Sequence, residues 1–325
     1  MRIRNSVVVI TGASSGIGRA TALRFAAKGA RLVLAARGAE SLEEVARECR
    51  KRGAKAIAVP TDVTDVGQVE ELAARAVQEF GRLDVWVNNA AVGAFGLLTE
   101  IPPTDFQRVL DVNISGYVNG ARAALPRLRA QASGALINVA SIVSEIPLPY
   151  SAAYSISKAA VRALSVSLRS ELAREGVAGV EVCSVLPATI DTPFYQNAAN
   201  YTGRRPMAMP PVYTAERVAK AVVRLVDHPR RETVAGGLAG RLLVLQHKVA
   251  PGAVEAATAR QVDTRQLSRR QSAPLTSGNL HQASQAIRKA STGGGWHGRR
   301  RTAQRLVGTA AVLAAAAVAL RKRLG

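Results

Sequence analysis

The chain has 325 residues, 48% of them hydrophobic, which is enough for one large domain or two small ones with a sizeable core. Its two cysteines and four histidines show no metal-ligand spacing, which argues against a disulfide framework and a metal site and suits a reducing, cytoplasmic compartment. The net charge of +21 would suit a nucleic-acid binder, but from residue 238 onward fifteen Lys or Arg face only two acids, so most of the excess lies in the C-terminal part and nucleic acid is not the expected partner.

The first part of the chain alternates apolar, strand-like runs with longer helical patterns. The strand that begins at residue 6 already enters a glycine turn by residue 12, so no signal peptide is expected. The runs are continuous rather than alternating in polarity, as in strands covered on both faces. The predicted pairs are SVVVI with a helix over 17–28, ARLVLAA with 40–52, AKAIAVP with 66–80, LDVWVNNA with 104–130 and GALINVAS with 152–175, before a sixth strand, VEVCSVLP. This repetition predicts an α/β fold with a doubly wound parallel sheet, a Rossmann fold.

After Pro187 the pattern loosens into a long loop or lid, followed by a helix over 214–228, a last strand at RRETVAGG and a helix at AGRLLVLQHKVAPG. Residues 257–301 are rich in Ser, Gln, Arg and Gly and are predicted to be disordered. The predicted organisation is a catalytic domain over 1–256, a basic linker over 257–301 and an alanine-rich helix over 302–325.

The last of these segments contains an uncharged run, Leu306–Leu320, between clusters of arginine and lysine. Its fifteen residues span about 22 Å as a helix, short of the roughly 30 Å hydrocarbon core. The basic flanks suit anionic headgroups, so we expect a membrane tether; a helix that packs on its own domain or on a partner is the alternative.

The stretch VVVITGASSGIGRA combines a buried strand, a glycine turn and a helix start. Glycines there allow a tight turn and close approach to a pyrophosphate, which the helix N-terminus attracts. No Gly-Lys-Ser/Thr follows, which excludes a P-loop NTPase. The predicted cofactor-binding residues of this loop are Thr11, Gly12, Ser14, Ser15, Gly16, Ile17 and Gly18.

Arg37 stands nineteen residues after Gly18, where an acidic residue would bind the 2′-hydroxyl of NAD. A guanidinium can instead pair with a 2′-phosphate through two hydrogen bonds. NADP(H) is therefore favoured and NAD(H) is possible; a solvent-facing loop arginine is the alternative.

Tyr154 and Lys158 are one helical turn apart and share a helix face. Carbonyl reduction needs a positioned proton donor, and a cation beside a phenol lowers the pKa of that phenol. The pair predicts a tyrosine acid with a lysine beside it, although such a spacing also arises by chance.

In this context the chain resembles the short-chain dehydrogenase/reductase family over residues 5 to about 237. The matching motifs are TGASSGIG at 11–18, NNAA at 88–91, Asn113 in LDVN, Ser141 in NVAS, Tyr154 with Lys158, and P-x-x-I-x-T at 187–192. The resemblance implies that Ser141 steadies the substrate oxygen and that Asn113 helps hold a water in a proton relay to Lys158. It implies further cofactor contacts at Asp62, Val63, Asn89, Ala90, Pro187 and Thr192. Ala91 and Ala188 replace glycines that are usual in the family.

The leading functional prediction is an NADP(H)-dependent oxidoreductase for a carbonyl or secondary alcohol. The aromatic residues and methionines of the 193–213 loop favour an apolar substrate. We expect a homodimer that pairs through the helices near 104–130 and 152–175. The alternatives are a non-catalytic dinucleotide-binding or regulatory protein and a membrane-surface binder.

Overall fold

The computed structural model describes residues 1–283 and 291–297. The strands of this part, in chain order, are β1 (Val7–Thr11), β2 (Arg31–Ala36), β3 (Ala56–Pro60), β4 (Val85–Asn88), β5 (Ala94–Phe95), β6 (Gly134–Val139), β7 (Val180–Pro187), β8 (Ile190–Asp191), β9 (Ala199–Asn200), β10 (Arg204–Pro206), β11 (Tyr213–Thr214), β12 (Glu232–Ala235) and β13 (Leu267–Ser272).

The helices of the same part are α1 (Gly16–Ala26), α2 (Ala39–Lys51), α3 (Val66–Phe80), α4 (Pro103–Leu110), α5 (Gly116–Ala130), α6 (Ala152–Arg174), α7 (Phe194–Asn197), α8 (Ala215–Asp227), α9 (Gly237–Val249) and α10 (Pro251–Gln261). The single helix predicted over 104–130 is α4 and α5 joined by a π-helix, Asp111–Ser115, so it is continuous but has a bulge at Asn113.

Seven strands form one parallel sheet in the order β12-β7-β6-β4-β1-β2-β3. The chain builds β1, β2 and β3 outward in one direction and then returns to build β4, β6, β7 and β12 in the other. The direction reverses between β1 and β4, and in open α/β sheets ligands bind at this point, beyond the carboxyl ends of the strands. The predicted doubly wound fold is confirmed.

Both faces of the sheet are covered, which explains why the strand sequences are apolar without alternation. One face carries α1, α2 and α8, with Phe25, Leu42 and Val222 fully buried. The other carries α3, α5 and α6, with Trp86 and Leu128 fully buried.

The structure has a helix and a strand within 257–283, part of the range for which the sequence predicts a disordered linker, and the predicted domain boundary at 256 falls inside α10. β13 pairs with β10 in antiparallel fashion, and Arg204 forms an ion pair of 2.7 Å with Asp263. Leu267 and Leu280 are fully buried. These isolated apolar and charged residues find partners on the 194–213 loop, which a composition average does not reveal.

The uncharged run Leu306–Leu320, on which the expected membrane tether depends, lies outside the described residues. Of the helices in residues 1–283 and 291–297, none is long and apolar enough to cross a membrane. Within the same residues, no group of three or more His, Cys, Asp or Glu could hold a metal ion.

Candidate active site

A cavity of about 330 Å³ lies beyond the carboxyl ends of β1, β4, β6 and β7. One end reaches the end of β2 at Arg37, and the other reaches α7 at Tyr195. Fifteen of the eighteen predicted site residues line it: Gly12, Ser14, Ser15, Gly16, Ile17, Arg37, Asp62, Val63, Asn89, Ala90, Ser141, Tyr154, Lys158, Pro187 and Thr192. Thr11, Gly18 and Asn113 do not line it, but each contacts a residue that does.

The glycine turn is held in a shape that side chains would not permit. Gly12 has a φ of +65°, and a Cβ there would lie 2.7 Å from the Ala90 Cα. Gly18 does not have a positive φ, but a Cβ on it would lie 2.1 Å from the Gly12 oxygen. These two glycines let the start of α1 pack against the turn, as the sequence predicts.

Thr11 and Asn89 fasten the same turn to the end of β4. The Thr11 hydroxyl accepts hydrogen bonds from the backbone N–H groups of Asn89 (3.0 Å) and Ala90 (3.1 Å). The Asn89 amide donates to the oxygens of Thr11 (2.9 Å) and Gly12 (3.2 Å). Thr11 therefore has a structural role, and Asn89 combines that role with a place in the cavity wall.

At the far end of the cavity, Asp62 is fixed by its neighbours. Its carboxylate accepts hydrogen bonds from the Thr64 N–H (3.0 Å) and from the Arg108 guanidinium (2.6 Å). Partial burial pushes the pKa of Asp62 upward, but the hydrogen bonds from Thr64 and Arg108 outweigh it, so the pKa lies below its usual value. A negative carboxylate thus lies beside the position predicted to receive the adenosine moiety.

Arg37 is half-buried and hydrogen-bonded rather than free in solvent. Its guanidinium donates to three backbone oxygens of the C-terminal part, those of Asn279 (2.5 Å), Leu280 (2.9 Å) and Gln282 (3.2 Å). The Gly16 N–H at the start of α1 likewise donates to the Ser291 oxygen, at 2.8 Å. No sequence signal pointed to these contacts, because their acceptors are backbone groups more than 240 residues away.

Tyr154 and Lys158 lie on the first turns of α6, with the Lys158 Nζ 5.7 Å from the centre of the Tyr154 ring. Lys158 is 1% exposed, and its ammonium donates to the Tyr117 hydroxyl (3.0 Å) and the Val139 oxygen (2.9 Å). Tyr117, on α5, was not predicted as a site residue. A single tyrosine in a helical pattern carries no signal of such a role.

The expected lowering of the Tyr154 pKa is wrong for this state of the protein. Burial raises the pKa of Tyr154 to about 12, although a hydrogen bond with Ser141 acts in the opposite direction. Burial also lowers the pKa of Lys158 to about 7. A lysine that is only partly charged at neutral pH, and whose ammonium bonds to Tyr117 and Val139, stabilises the phenolate less than a full charge would.

Ser141 and Asn113 are fixed by local structure. Ser141 lies two residues after β6 and is the N-cap of a short 3₁₀-helix, where its hydroxyl accepts from the Val143 N–H at 3.2 Å. Asn113, in the π-helix, is fully buried and exchanges two hydrogen bonds of 2.9 Å with the backbone of Val92. Its amide also donates to the Ser157 hydroxyl at 3.0 Å, next to Lys158. The Asn113 side chain therefore holds α6 in place.

At the end near Tyr154 the cavity is largely aromatic. The ring centres of Tyr154 and Phe194 are 5.3 Å apart, and Phe95 stacks on Tyr195 at 6.3 Å. Of the loop residues predicted to contact substrate, Phe194, Tyr195 and Met209 line the cavity, whereas Tyr201, Met207 and Tyr213 do not. The wall is completed by Leu243, Thr258 and Gln266, which belong to the C-terminal part of the chain.

Pro187 and Thr192 lie where β7 leaves the sheet. Both line the cavity, and a Cβ on Gly16 would lie 3.2 Å from the Thr192 side chain, so this loop touches the glycine turn. The adjacent Asp191 carboxylate accepts from the N–H groups of Gly294 (2.7 Å), Trp296 (2.9 Å) and His297 (3.0 Å).

Comparison with known proteins agrees with this geometry. Residues 6–203 match the family model described as short chain dehydrogenase. The uncharacterized oxidoreductase YxnA of Bacillus subtilis is 38% identical over 246 residues, which are 75% of this chain and 69% of YxnA. The uncharacterized oxidoreductase Lmo0432 of Listeria monocytogenes is 36% identical over 70% of this chain and 93% of its own length.

Solved structures give the same result. A short chain dehydrogenase/reductase from Burkholderia phymatum, in complex with NAD, superimposes with a TM-score of 0.69 at 28% identity, over 78% of this chain and 96% of that one. An alcohol dehydrogenase from Thermococcus sibiricus, complexed with 5-hydroxy-NADP, has a TM-score of 0.61 at 30% identity, over 71% and 96%. The chain therefore belongs to the short-chain dehydrogenase family, and it is an oxidoreductase.

Proposed function

We propose that the protein transfers a hydride between NADP(H) and an apolar carbonyl or secondary alcohol, with Tyr154 as the proton-transferring residue. The observation that carries the proposal is the placement of Ser141, Tyr154 and Lys158 on one wall of a cavity that is continuous with the glycine turn. The Burkholderia and Thermococcus relatives were solved with NAD and 5-hydroxy-NADP, which supports a nicotinamide dinucleotide as cofactor.

The residues present fit such a cofactor. Gly12 and Gly16 carry no side chain near the N-terminus of α1, where a pyrophosphate would bind. The Gly16 N–H would first have to leave the Ser291 oxygen. Asp62, Val63, Asn89 and Ala90 would surround the adenosine, with Arg37 at the 2′ position. Lys158 would reach the nicotinamide ribose, and Pro187 and Thr192 would contact the carboxamide. When bound, the nicotinamide supplies or accepts the hydride.

The protein residues supply the proton transfer. With a pKa near 12, the Tyr154 phenol is protonated at neutral pH and can donate to the oxygen of a carbonyl held against it. Ser141, hydrogen-bonded to the same phenol, is placed to share that oxygen. The protonated fraction of Lys158 supplies positive charge behind the phenol. Asn113 positions the helix that carries both residues.

The part of the cavity wall beside Tyr154 supports an apolar substrate. Phe95, Phe194 and Tyr195 form an aromatic group there, to which Met209 and Leu243 add apolar surface. Such a wall would hold an aromatic or lipid-like carbonyl by burying its apolar surface.

The test is Tyr154→Phe, assayed as NADPH oxidation against a panel of aromatic and long-chain aldehydes and ketones. Loss of a general acid lowers turnover by about 10²–10⁴-fold. NADPH binding, followed by fluorescence titration, should be unchanged. Tyr150→Phe is the matched control, because Tyr150 is not among the described residues that line the cavity. Unchanged turnover in Tyr154→Phe would contradict the proposal.

We also propose that two copies pair through α5 and α6. Ile156 and Val166 on α6 are 50% and 51% exposed, which leaves apolar surface for a partner helix. Light scattering should give twice the mass of the chain, and Val166→Glu should reduce it to the mass of one.

A further inference from the structure

Residues 276–283, here called the capping segment, lie across the end of β2. Three of their carbonyl oxygens accept hydrogen bonds from Arg37: Asn279 and Gln282 bind Nη2, and Leu280 binds Nη1. Both terminal nitrogens of the guanidinium are thus engaged. These are the donors with which an arginine forms a bidentate pair with a phosphate.

The capping segment is firmly attached. The Leu280 side chain is fully buried in the hydrophobic core, and its oxygen also accepts from the Arg108 Nε at 3.1 Å. Thr276 exchanges two backbone hydrogen bonds with Asn200 (2.8 and 3.0 Å), and the Asn279 N–H donates to the Asn197 oxygen at 2.8 Å. The contacts with Arg37 therefore belong to a docked element.

The docked element also adds a polar side chain to the cavity wall. Asn279 lines the cavity, and its side-chain Oδ1 is buried with no hydrogen-bond partner within the described part of the chain. A buried acceptor without a donor is costly, and a hydroxyl group can satisfy it. In this amide orientation a phosphate dianion offers the Oδ1 no proton, and its oxygens would compete with the three backbone carbonyls for Arg37.

We propose that the capping segment sets the cofactor preference: docked, it competes with the 2′-phosphate of NADP(H) for Arg37 and accommodates the 2′-hydroxyl of NAD(H). Displacement of the segment frees the guanidinium for the phosphate. The inference rests on the proposed role of Arg37 in NADP(H) binding. It adds that residues 279–282 control how tightly Arg37 binds the 2′-phosphate. These residues lie far outside the matched family region of 6–203.

Gly278 allows a test in the full-length protein. It has a φ of +55°, and a Cβ there would lie 2.3 Å from the Asn197 oxygen and 2.6 Å from the Ala198 carbonyl carbon. Gly278→Ala should therefore displace the capping segment from the backbone of Asn197 and Ala198. Gly53→Ala is the control, because Gly53 also has a positive φ (+83°) but has nothing within 4 Å of its Cβ position.

The measurement is direct binding of NADPH and NADH by fluorescence titration. Because the freed hydrogen bonds involve a charged group, NADPH should bind Gly278→Ala on the order of tenfold more tightly than the wild type. NADH affinity should change less than about twofold, and Gly53→Ala should match the wild type. Leu280→Asp, which places a carboxylate in the core contact, is a second way to undock the segment.

The same titrations in an Arg37→Ala background separate this inference from the proposed function. If the gain in NADPH affinity disappears there, the segment acts through Arg37. Equal changes for NADPH and NADH, or no change in either undocking variant, would overturn the inference. If Arg37→Ala leaves NADPH binding intact in both backgrounds, the proposed cofactor role of Arg37 fails as well.

Discussion

Lys158 and Tyr117, forty-one residues apart, share a buried hydrogen bond of 3.0 Å between the ammonium and the phenolic oxygen. The Tyr117 hydroxyl in turn donates to the Val139 oxygen at 2.9 Å, and Lys158 donates to that same oxygen. The charged end of the lysine is therefore held against the end of β6 before any ligand binds. This arrangement gives Lys158 a fixed position and an abnormal titration.

The first prediction concerns the pH dependence of stability. Burial lowers the pKa of Lys158 to about 7 from 10.5, so between these values the unfolded chain binds the proton that the folded chain has lost. Lys158 therefore makes the free energy of unfolding rise as the pH increases from about 7 to 10.5. Below pH 7 the lysine is charged in both states, so the full cost of burying its charge lowers the stability.

Urea denaturation of the unliganded protein at pH 7, 8 and 9.5 should show this contribution. The wild type should gain about 1–3 kcal/mol relative to Lys158→Met across that range. Lys220→Met, at an exposed position on α8, is the control and should follow the wild type. If the free energy of unfolding changes with pH in the same way in the wild type and Lys158→Met, the lowered pKa of Lys158 is contradicted.

The second prediction is that Tyr117→Phe weakens both stability and turnover. Removal of the hydroxyl takes away one acceptor of a buried ammonium, which costs about 1–3 kcal/mol in the free energy of unfolding. The pKa of Lys158 should fall further, so in a pH profile of turnover the activity that depends on the charged lysine should be lost at a lower pH. A purely structural role would lower stability and leave the profile in place, and Tyr150→Phe should alter neither.

The third prediction concerns the contact between Gly18 and the glycine turn. Gly18→Ala would place a methyl group 2.1 Å from the Gly12 oxygen, so either α1 or the turn must shift. We expect dinucleotide affinity to fall by at least about tenfold, because the N–H groups at the start of α1 lose their alignment. Fluorescence titration with NADH and NADPH checks this. Gly252→Ala, in open space on α10, should bind both as the wild type does.

The fourth prediction separates the two asparagines of the NNAA motif. Asn88 is 1% exposed; its Oδ1 accepts from the Trp86 Nε1 at 2.7 Å, and its Nδ2 donates to the Asn138 Oδ1 at 3.0 Å. Asn88→Ala should lower the free energy of unfolding by about 2–4 kcal/mol, since it leaves buried partners unpaired. Asn89→Ala should instead mainly reduce cofactor affinity. Equal thermal stability of the two variants would contradict this division.

The alternation of apolar strands with helices determined the sheet, because strands covered on both faces cannot be polar. Two local patterns also located the cavity. The glycines at 12, 16 and 18 depend on backbone shape, and the Tyr154–Lys158 spacing depends on helix periodicity. The sequence did not predict the helix and the strand within 257–283. The residues that anchor this part to the core, such as Leu280, have partners that are distant in the chain.

The sequence by itself thus determined the fold, the glycine turn and fifteen of the residues that line the cavity. Only the tertiary structure decided which groups those residues contact: Tyr117 for Lys158, Ser157 for Asn113 and the carbonyls of residues 279–282 for Arg37. The physical reason is that burial and hydrogen bonding depend on distance in space. The pKa of Tyr154 and the availability of Arg37 are set by neighbours that no local pattern identifies.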